Sequence, residues 1–352
     1  MNFTKVLFLG ATICFLTYQQ SIAQDIPADT TLADLDDFNF DELGNADNFV
    51  VKTYATQKVV RLSPAQLISV GYETQLPFPM SVDNNPEANV NKFRGLRLAF
   101  NAPVISRSNF ILNLGLTYWD TNIGFENPTD PGLLRSLERG LRTTGLNATL
   151  FKPLNDKHFI ILQANVDVSG NYTGFSDLEL GKSTTFSGIG IFGWKKDENT
   201  MFGVGVTRTY RAGQLLHIPA IYYNKTFNDK WGIESVVPAK IQVRRNFGPT
   251  SLLMFGYEIE GNAFYLNDAP RIAGVVSGGG DVYIRRGELK PRVTYQKQVK
   301  NFVWLAAQAG LRYNWRFDGF SDQNPTGDNI PVFNNTLGNP LFFNISLNLV
   351  SP

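Results

Sequence analysis

The chain has 352 residues, and its 32 lysines and arginines nearly balance its 31 aspartates and glutamates. A net charge of +1 argues against a nucleic-acid surface, which requires a basic stripe. After the first two dozen residues, no stretch approaches the roughly 18 consecutive apolar residues that a membrane helix requires. The content of 13% aromatic residues, 31 glycines and only 18% charged residues instead favours many short strands.

The first residues resemble an export signal. Lys5 provides a positive charge, residues 6–16 form an apolar run, and small residues precede a cleavage position after Ala23. We therefore predict a signal peptide over residues 1–23. The only cysteine, Cys14, lies inside it, so the exported chain would have no thiol chemistry and no disulfide. Lipid attachment at Cys14 is the alternative, but Ile13 stands where a small residue is needed.

An acidic segment follows the predicted cleavage position. Eight aspartates and glutamates occur in residues 24–48, without any lysine or arginine. Like charges at this density repel one another, and few apolar residues are present to offset the entropy of ordering. We predict an acidic periplasmic N-terminal extension over residues 24–60. The alternative is a plug that folds into the interior of the following domain.

From residue 61 onward, apolar and polar residues alternate along segments of about ten residues. The clearest segment is 158–170, where apolar residues occupy the even positions from Ile160 to Val168 and polar residues the odd ones from Gln163 to Ser169. The closing segment, 340–350, alternates in the same way. A period of two predicts strands with one apolar and one polar face. We therefore predict an all-β fold over residues 61–352, a transmembrane antiparallel up-and-down β-barrel.

A soluble β-sandwich is the alternative, because each of its sheets also buries one apolar face. Aromatic residues distinguish the two, since a membrane barrel brackets its apolar band with aromatic girdles. Aromatic residues do gather at the ends of the predicted strands. We expect the girdles to contain Tyr118 with Trp119, Tyr222 with Tyr223, Trp231, Phe264 with Tyr265, Trp315 with Phe317, and Phe342 with Phe343.

The connections predict hairpins. Asn-Asp-Lys occurs at 155–157 and at 228–230, which indicates tight turns. Segments 120–139, 171–183, 267–280 and 318–339 are long and rich in Gly, Pro, Asn and Asp, and so suit outer loops.

The strand number is predicted as 12–14. Counting residues 231–244 as one strand gives about thirteen from residue 66 onward, whereas single-chain bacterial barrels have even numbers. Either a strand within residues 50–60 must be added or one segment must be dropped. Consecutive short turns near Asp229 and Gly248 would also place one of them on the outer side.

Together, the export signal, the acidic lead, the Asn-Asp-Lys turns, the Val-Pro-Ala-Lys-Ile sequence at 237–241 and the aromatic closing strand resemble the uncharacterised outer-membrane β-barrel families of Gram-negative bacteria. The resemblance covers residue 66 to the end and implies architecture without an activity. The chain differs at its last residues, because many barrels end on an aromatic residue and this one ends Val350-Ser351-Pro352.

The polar faces of the strands predict which side chains line the lumen. The ionisable candidates are Arg97, Glu234, Lys240, Arg244, Glu258, Glu260, Arg286, Glu288, Lys290, Arg292, Arg312 and Arg316. Unpaired, the cations would favour anionic solutes in an open pore. Alternatively, Glu258 and Glu260 pair with cations across the sheet and simply fill the interior, and this reading is favoured.

These patterns predict a cell outer-membrane protein that acts as a passive or ligand-specific channel for a small solute. The alternative is a structural or surface-binding barrel that acts through its outer loops. Two histidines without cysteine make an enzyme or a zinc site a poor expectation, although a lipid hydrolase using His217 is a third possibility. We expect no cofactor, and we expect outer-membrane lipid, lipopolysaccharide and the barrel-assembly machinery as partners.

Overall fold

The computed structural model describes residues 54–83, 88–126, 131–267, 281–323 and 330–351. The predicted signal peptide and residues 24–53 of the predicted extension lie outside this part of the chain. All described residues belong to the compact unit Lys52–Pro352.

The described part of the chain contains seventeen strand segments and two short α-helices. In chain order they are β1 (Gln66–Gln75), β2 (Phe78–Val82), β3 (Ala88–Arg107), β4 (Phe110–Glu126), α1 (Pro131–Glu138), β5 (Leu141–Pro153), β6 (His158–Gly170), α2 (Leu180–Ser183), β7 (Thr184–Asp197), β8 (Thr200–Thr209), β9 (Leu216–Thr226), β10 (Trp231–Val237), β11 (Lys240–Asn246), β12 (Ser251–Tyr265), β13 (Tyr283–Lys300), β14 (Val303–Leu311), β15 (Tyr313–Phe320), β16 (Asn335–Leu337) and β17 (Leu341–Val350).

The segments form a closed antiparallel barrel of fourteen strands, which confirms the predicted fold class. Three strands are each broken into two segments: β1 and β2 both pair with β3, β14 and β15 both pair with β13, and β16 and β17 continue along β2 and β1. The barrel closes where β17 pairs with β1, from Gln66↔Val350 to Gln75↔Phe342.

The fourteenth strand arises inside residues 231–244 and not upstream. This segment is a hairpin, in which β10 and β11 pair from Trp231↔Arg245 to Val236↔Lys240. Residues 54–65 contain no strand. Each residue number in this hairpin pairs with one of the same parity, so odd residues face outward on both strands. The alternation therefore runs unbroken through the turn and hides it.

Once this hairpin is included, the two ends of the barrel differ in the length of their connections. Six short turns lie at one end, which we call the short-turn end, and they include those near Asp229 and Gly248. The other connections lie at the opposite end, the loop end, and they include the described parts of the predicted long loops, of which 127–130, 268–280 and 324–329 are outside the described residues. The expectation that one of two consecutive short turns lies on the outer side is therefore wrong.

The outer surface of the barrel is an apolar belt. On β17 the side chains of Ile345 and Leu347 are 62% and 50% exposed, whereas the alternating Asn344, Ser346 and Asn348 are buried. Val206 on β8 is 70% exposed and Leu146 on β5 is 61% exposed. Exposed apolar side chains thus continue around the barrel.

Only part of the predicted aromatic girdle faces outward. Neighbouring residues on a strand point to opposite faces, so one member of each adjacent aromatic pair must turn inward. Trp119 accordingly lies against Arg97 inside the barrel, with its ring centroid 4.5 Å from the guanidinium carbon. Phe264, Tyr265, Phe317 and Phe342 are buried, whereas Trp315 and Phe343 are exposed.

Candidate functional site

The interior of the barrel holds a network of charged side chains on one sector of the wall. We call it the charged cluster, and it comprises Glu73 on β1, Arg97 on β3, Glu258 and Glu260 on β12, Arg286, Glu288, Lys290 and Arg292 on β13, and Arg312 between β14 and β15. Eight of these nine residues are among those predicted for the lumen. Strand alternation places them on one face, and barrel closure brings β1 and β3 beside β13 and β14.

Glu73 lies at the centre of the charged cluster. One of its carboxylate oxygens accepts hydrogen bonds from Arg97 Nη2 at 2.7 Å and from Arg312, and the other accepts from Lys290 Nζ at 2.8 Å. The carboxylate is buried, so its charge is balanced by three cations from three different strands. Such multiple pairing is what permits charge in a low-dielectric interior.

The other carboxylates are paired in the same way. Glu288 accepts hydrogen bonds from Arg286 Nη2 at 3.0 Å and from Arg312 Nη1 at 2.6 Å. Glu258 accepts from Arg292 Nη2 at 2.5 Å. Each carboxylate of the charged cluster thus has a neighbouring cation. The two cavities that adjoin the cluster measure only about 10 Å³ each, which is room for one water molecule. The charged cluster fills its sector of the lumen.

Four predicted lumen residues lie elsewhere. Glu234 and Arg244 meet near the short-turn end, with Arg244 Nε 3.1 Å from Glu234 Oε1. Lys240 pairs in register with Glu258, at the tip of the β10–β11 hairpin. Arg316 pairs in register with Gly287, which alternates with the inward Arg286 and Glu288 and therefore faces outward.

The position of Arg316 differs from the sequence-based expectation, and a β-bulge explains it. The register shifts between Gly287 and Glu288, so that Trp315 has no partner and the following residues exchange faces. Arg316 then donates a hydrogen bond to Gln214 in the β8–β9 loop, while Phe317 turns inward and is buried.

Glu73 was not among the residues predicted to line the lumen. Its strand alternates as regularly as the others, with Ile68, Val70 and Tyr72 exposed and Gly71 and Glu73 buried. That alternation is sufficient to predict that the side chain of Glu73 faces inward. It could not indicate the three cations, because they lie between 24 and 239 residues away in sequence.

At the loop end, β12 extends beyond its pairing with β11 and contacts β6. The two strands form a bridge at Tyr265↔Gly170, although β7 to β11 lie between them in the sheet. Asn262 Nδ2 donates to Ser169 Oγ at 2.8 Å at the same place. A side chain at Gly170 would place its Cβ 2.6 Å from the carbonyl oxygen of Tyr265, so glycine is needed for this contact. The wall is drawn inward here and narrows the lumen; we call this contact the pinch.

The wall beside the pinch is low, because β10 and β11 have only seven residues each. The β8–β9 loop occupies this place. Arg211 Nη1 donates to Glu258 Oε1 at 3.2 Å. A Cβ atom added to Gly287 would lie 2.7 Å from the carbonyl oxygen of Ala212, so the loop packs closely against β13.

An apolar cluster fills the barrel mouth at the loop end. Helix α1 contributes Leu133, Leu134 and Leu137, which share one face, while Arg135 and Glu138 are exposed. This spacing is that of an amphipathic helix with its apolar face toward a core. Its partners come from both sides of the mouth and include Phe93, Phe125, Phe264, Ile284 and Phe317.

Two charged residues fix the loops around this mouth. Lys182 donates to Asp281 Oδ1 at 2.8 Å and to the Tyr265 hydroxyl at 3.3 Å, and these hydrogen bonds raise the pKa of Lys182 above its usual value. Hydrogen bonds from the hydroxyl and the backbone N–H of Thr173 lower the pKa of Asp177. Both residues therefore keep their charges near neutral pH.

Residues 54–65 close the short-turn end. The Val60 N–H donates to Glu198 O at 2.9 Å, and the Ser63 N–H and hydroxyl donate to Glu234 at 2.9 and 2.6 Å. Val59 inserts its side chain inside the barrel. It packs in a cluster with Phe151, Phe159 and Met201. Residues 54–60 are the described part of the predicted extension, and residues 61–65 follow it directly.

Between these two closures, another sector of the inner wall carries uncharged polar side chains. We call it the amide wall, and it comprises Asn113 on β4, Asn147 and Thr149 on β5, Gln163 and Asn165 on β6, and Ser187 on β7. All six face inward and yet are only half-buried, so they border open interior space.

Within the described ranges, no group of three or more His, Cys, Asp or Glu side chains could hold a metal ion. None of the helices in these ranges is long and apolar enough to cross a membrane. His217 Nε2 lies 3.4 Å from Arg208 Nη1, on the outer face of the barrel.

Comparisons with known proteins add a family match and distant structural likenesses. A family described as "Domain of unknown function (DUF6268)" matches residues 135–285, which is less than half of the chain. No curated protein matches the sequence.

Three solved structures illustrate the likeness. The toluene transporter TodX of Pseudomonas putida is 7% identical, with 82% of this chain and 91% of that chain covered and a TM-score of 0.37. A FadL homologue of Pseudomonas aeruginosa is 12% identical, with coverage of 80% and 89% and a TM-score of 0.37. The β-domain of the Bordetella autotransporter BrkA is 13% identical, with coverage of 82% and 100% and a TM-score of 0.26. At these scores the likeness says nothing of what this chain carries.

Proposed function

We propose that the protein is an outer-membrane β-barrel that provides a gated passage for a small solute. The observation that carries this proposal is a closed barrel with an apolar outside and, inside, a polar space that is shut at both ends.

The outer surface supports the membrane location. In a soluble protein, apolar patches larger than a few hundred Å² are rarely left exposed. Here they encircle a barrel whose inner face is polar, the reverse of a soluble barrel with an apolar core. Hydrocarbon is the surrounding that makes this arrangement stable.

The interior supports a gated passage and argues against an open pore. The charged cluster, the pinch and the apolar mouth obstruct the lumen toward the loop end, and residues 54–65 obstruct it at the short-turn end. The pinch and the short-turn closure each depend on a few local contacts, the Tyr265↔Gly170 bridge and the insertion of Val59. Displacing them would connect the interior space to either side.

Swelling of proteoliposomes tests this proposal. Purified barrel would be reconstituted and placed in isosmotic glycerol, glucose or sucrose. We expect slow swelling with the wild-type protein and several-fold faster swelling with Gly170→Ala combined with Val59→Ala. The Cβ added at Gly170 forces β12 away from β6 at the loop end, and the smaller side chain at position 59 loosens residues 54–65 at the short-turn end. The matched control is Gly174→Ala, because a Cβ there meets its nearest atom at 3.9 Å.

Swelling that matches that of empty liposomes for every solute, with both the wild type and the combined variant Gly170→Ala with Val59→Ala, would overturn the proposal. The protein would then be a non-transporting barrel that acts through its loops.

A further inference from the structure

We propose that the amide wall binds an uncharged, polyhydroxylated solute of the sugar or polyol class. This inference rests on the proposed passage and specifies what that passage recognises.

The six side chains of the amide wall form a continuous surface. In one row of cross-strand pairs, Thr149 pairs with Asn113 on one side and with Gln163 on the other. In the next row, Asn165 pairs with Asn147 on one side and with Ser187 on the other. Residues paired across antiparallel strands have Cβ atoms about 5 Å apart, so the two rows form a patch four strands wide.

Gly115 shapes this patch. It occupies the place beside Asn147 in the second row, and a Cβ there would lie 2.6 Å from Asn147 Nδ2. The absence of a side chain leaves room for the amide of Asn147 to lie over β4. A larger residue would push this amide into the lumen.

Most of the hydrogen-bonding capacity of the amide wall is unused by the protein. Within the described residues, Gln163 donates to Asn165 Oδ1 at 3.0 Å and Asn165 donates to Ser187 Oγ at 3.3 Å. The side chains of Asn113, Asn147 and Thr149 have no hydrogen-bond partner in the described part of the chain. An amide offers two donor hydrogens and an acceptor oxygen, so the amides can donate hydrogen bonds to a hydroxyl group and accept hydrogen bonds from it.

The charge around the amide wall favours a neutral ligand. Its two rows contain no ionisable side chain, and the adjacent row contains one, Asp167, paired in register with Gly145 and Thr185. Arg211, from the β8–β9 loop, already donates to Glu258. The carboxylates and cations of the charged cluster are paired with one another.

An anionic solute would therefore lose hydration here without gaining a free counter-charge. A cationic solute would meet no carboxylate among the six side chains and only that of Asp167 in the adjacent row. A polyol exchanges hydrogen bonds with water for hydrogen bonds with amides and hydroxyls, at a small net cost. The residue types and their arrangement thus match hydroxyl-rich neutral molecules.

Saturation-transfer difference NMR on the full-length protein in detergent micelles tests the inference. Sucrose is the probe, and gluconate and putrescine are the anionic and cationic comparisons. We expect a saturation-transfer signal for sucrose and much weaker signals for the two ions. Asn147→Leu with Asn165→Leu, which removes two facing amides at similar volume, should abolish the sucrose signal.

The matched control is Asn344→Leu, which replaces a buried, inward-facing amide on β17, outside the amide wall. It should keep the sucrose signal. A slower gel migration on heating, typical of folded barrels, would verify folding of each variant. Thr149→Val, which changes a single hydroxyl to a methyl group, provides a second test should the double variant not fold, and it should weaken the signal.

The inference would be overturned if the sucrose signal persists unchanged in the double variant or in Thr149→Val, or if the wild type gives no sucrose signal. Signals for gluconate and putrescine as strong as that for sucrose would also overturn it. Failure of the passage gives a different result, because proteoliposomes would then not swell although sucrose still binds through Asn147 and Asn165.

Discussion

The charged cluster and the amide wall are both polar linings of one barrel, but they use their side chains in opposite ways. In the charged cluster, Glu73 and Glu288 are each bound by two or three cations and are buried. In the amide wall, Asn113, Asn147 and Thr149 are half-buried, and their side chains make no hydrogen bond to a described residue. The first sector binds itself, whereas the second is available to a ligand.

This difference separates the structural task of the interior from its proposed recognition task. Removing one partner from a buried ion pair leaves an uncompensated charge, so the charged cluster tolerates little change. A half-exposed amide can exchange its partner for water, so the amide wall should tolerate substitution. The largest and the smallest of four expected effects test this contrast directly, and the two between them test the apolar belt and the short-turn end that enclose both sectors.

The largest effect is expected for Glu73→Gln. It removes the charge that balances Arg97, Lys290 and Arg312, and should lower the free energy of unfolding by about 3–5 kcal/mol. Urea unfolding of the barrel in lipid vesicles measures this. The control, Glu126→Gln, changes an exposed carboxylate and should cost less than about 0.5 kcal/mol. Equal costs for the two variants would show that the charged cluster has no structural role.

The next effect concerns the outside of the barrel. Ile345→Arg places a charge in the centre of the apolar belt and should cost about 2–4 kcal/mol if hydrocarbon surrounds it. Ile330→Arg is the control, since Ile330 is 78% exposed and lies outside the strands. In water, both substitutions would be nearly neutral, and that result in the reconstituted protein would contradict the membrane location.

A smaller effect is expected at the short-turn end. Val59→Ala removes two buried methyl groups and should cost about 2 kcal/mol. It should also release residues 54–65 to limited proteolysis from that end. Val60, the next residue, is 44% exposed, so Val60→Ala should leave the cleavage rate unchanged. Identical cleavage of both variants would mean that Val59 does not hold this segment.

The smallest effect on stability is expected in the amide wall. Asn165→Leu should change the free energy of unfolding by less than about 1 kcal/mol, because the amide is half-exposed and its carbonyl oxygen can be replaced by water as an acceptor. The same urea unfolding experiment compares it directly with Glu73→Gln. A loss as large as that of Glu73→Gln would show that this sector, too, is held together by its polar side chains.

The sequence predicts strands and faces well and contacts between distant strands poorly. The alternation of Ile160 to Ser169 requires no partner to be recognised, since it depends only on which medium each face meets. The hairpin at Val236↔Lys240 was missed because pairing between residues of equal parity leaves the alternation unchanged. Arg316 was placed inward because a bulge changes faces without a local composition signal.

The candidate site shows the same limit. Alternation identifies most of the charged residues that face the lumen, but not their neighbours, because those depend on which strands meet when the barrel closes. The pinch between Tyr265 and Gly170 joins residues that are 95 positions apart, and a glycine among many in the sequence gives no sign of it. Whether an inward amide is free or paired also depends on these contacts, so the amide wall cannot be separated from the other polar faces by sequence.

The central claim is that the lumen is a passage held shut at both ends by internal contacts, at the loop end by the pinch and at the short-turn end by the insertion of Val59. Recordings of single barrels in planar lipid bilayers test it most directly. We expect the wild-type protein to remain closed nearly all the time and the combined variant Gly170→Ala with Val59→Ala to show frequent openings. Continuous conductance by the wild type, or a combined variant as silent as the wild type, would contradict the account.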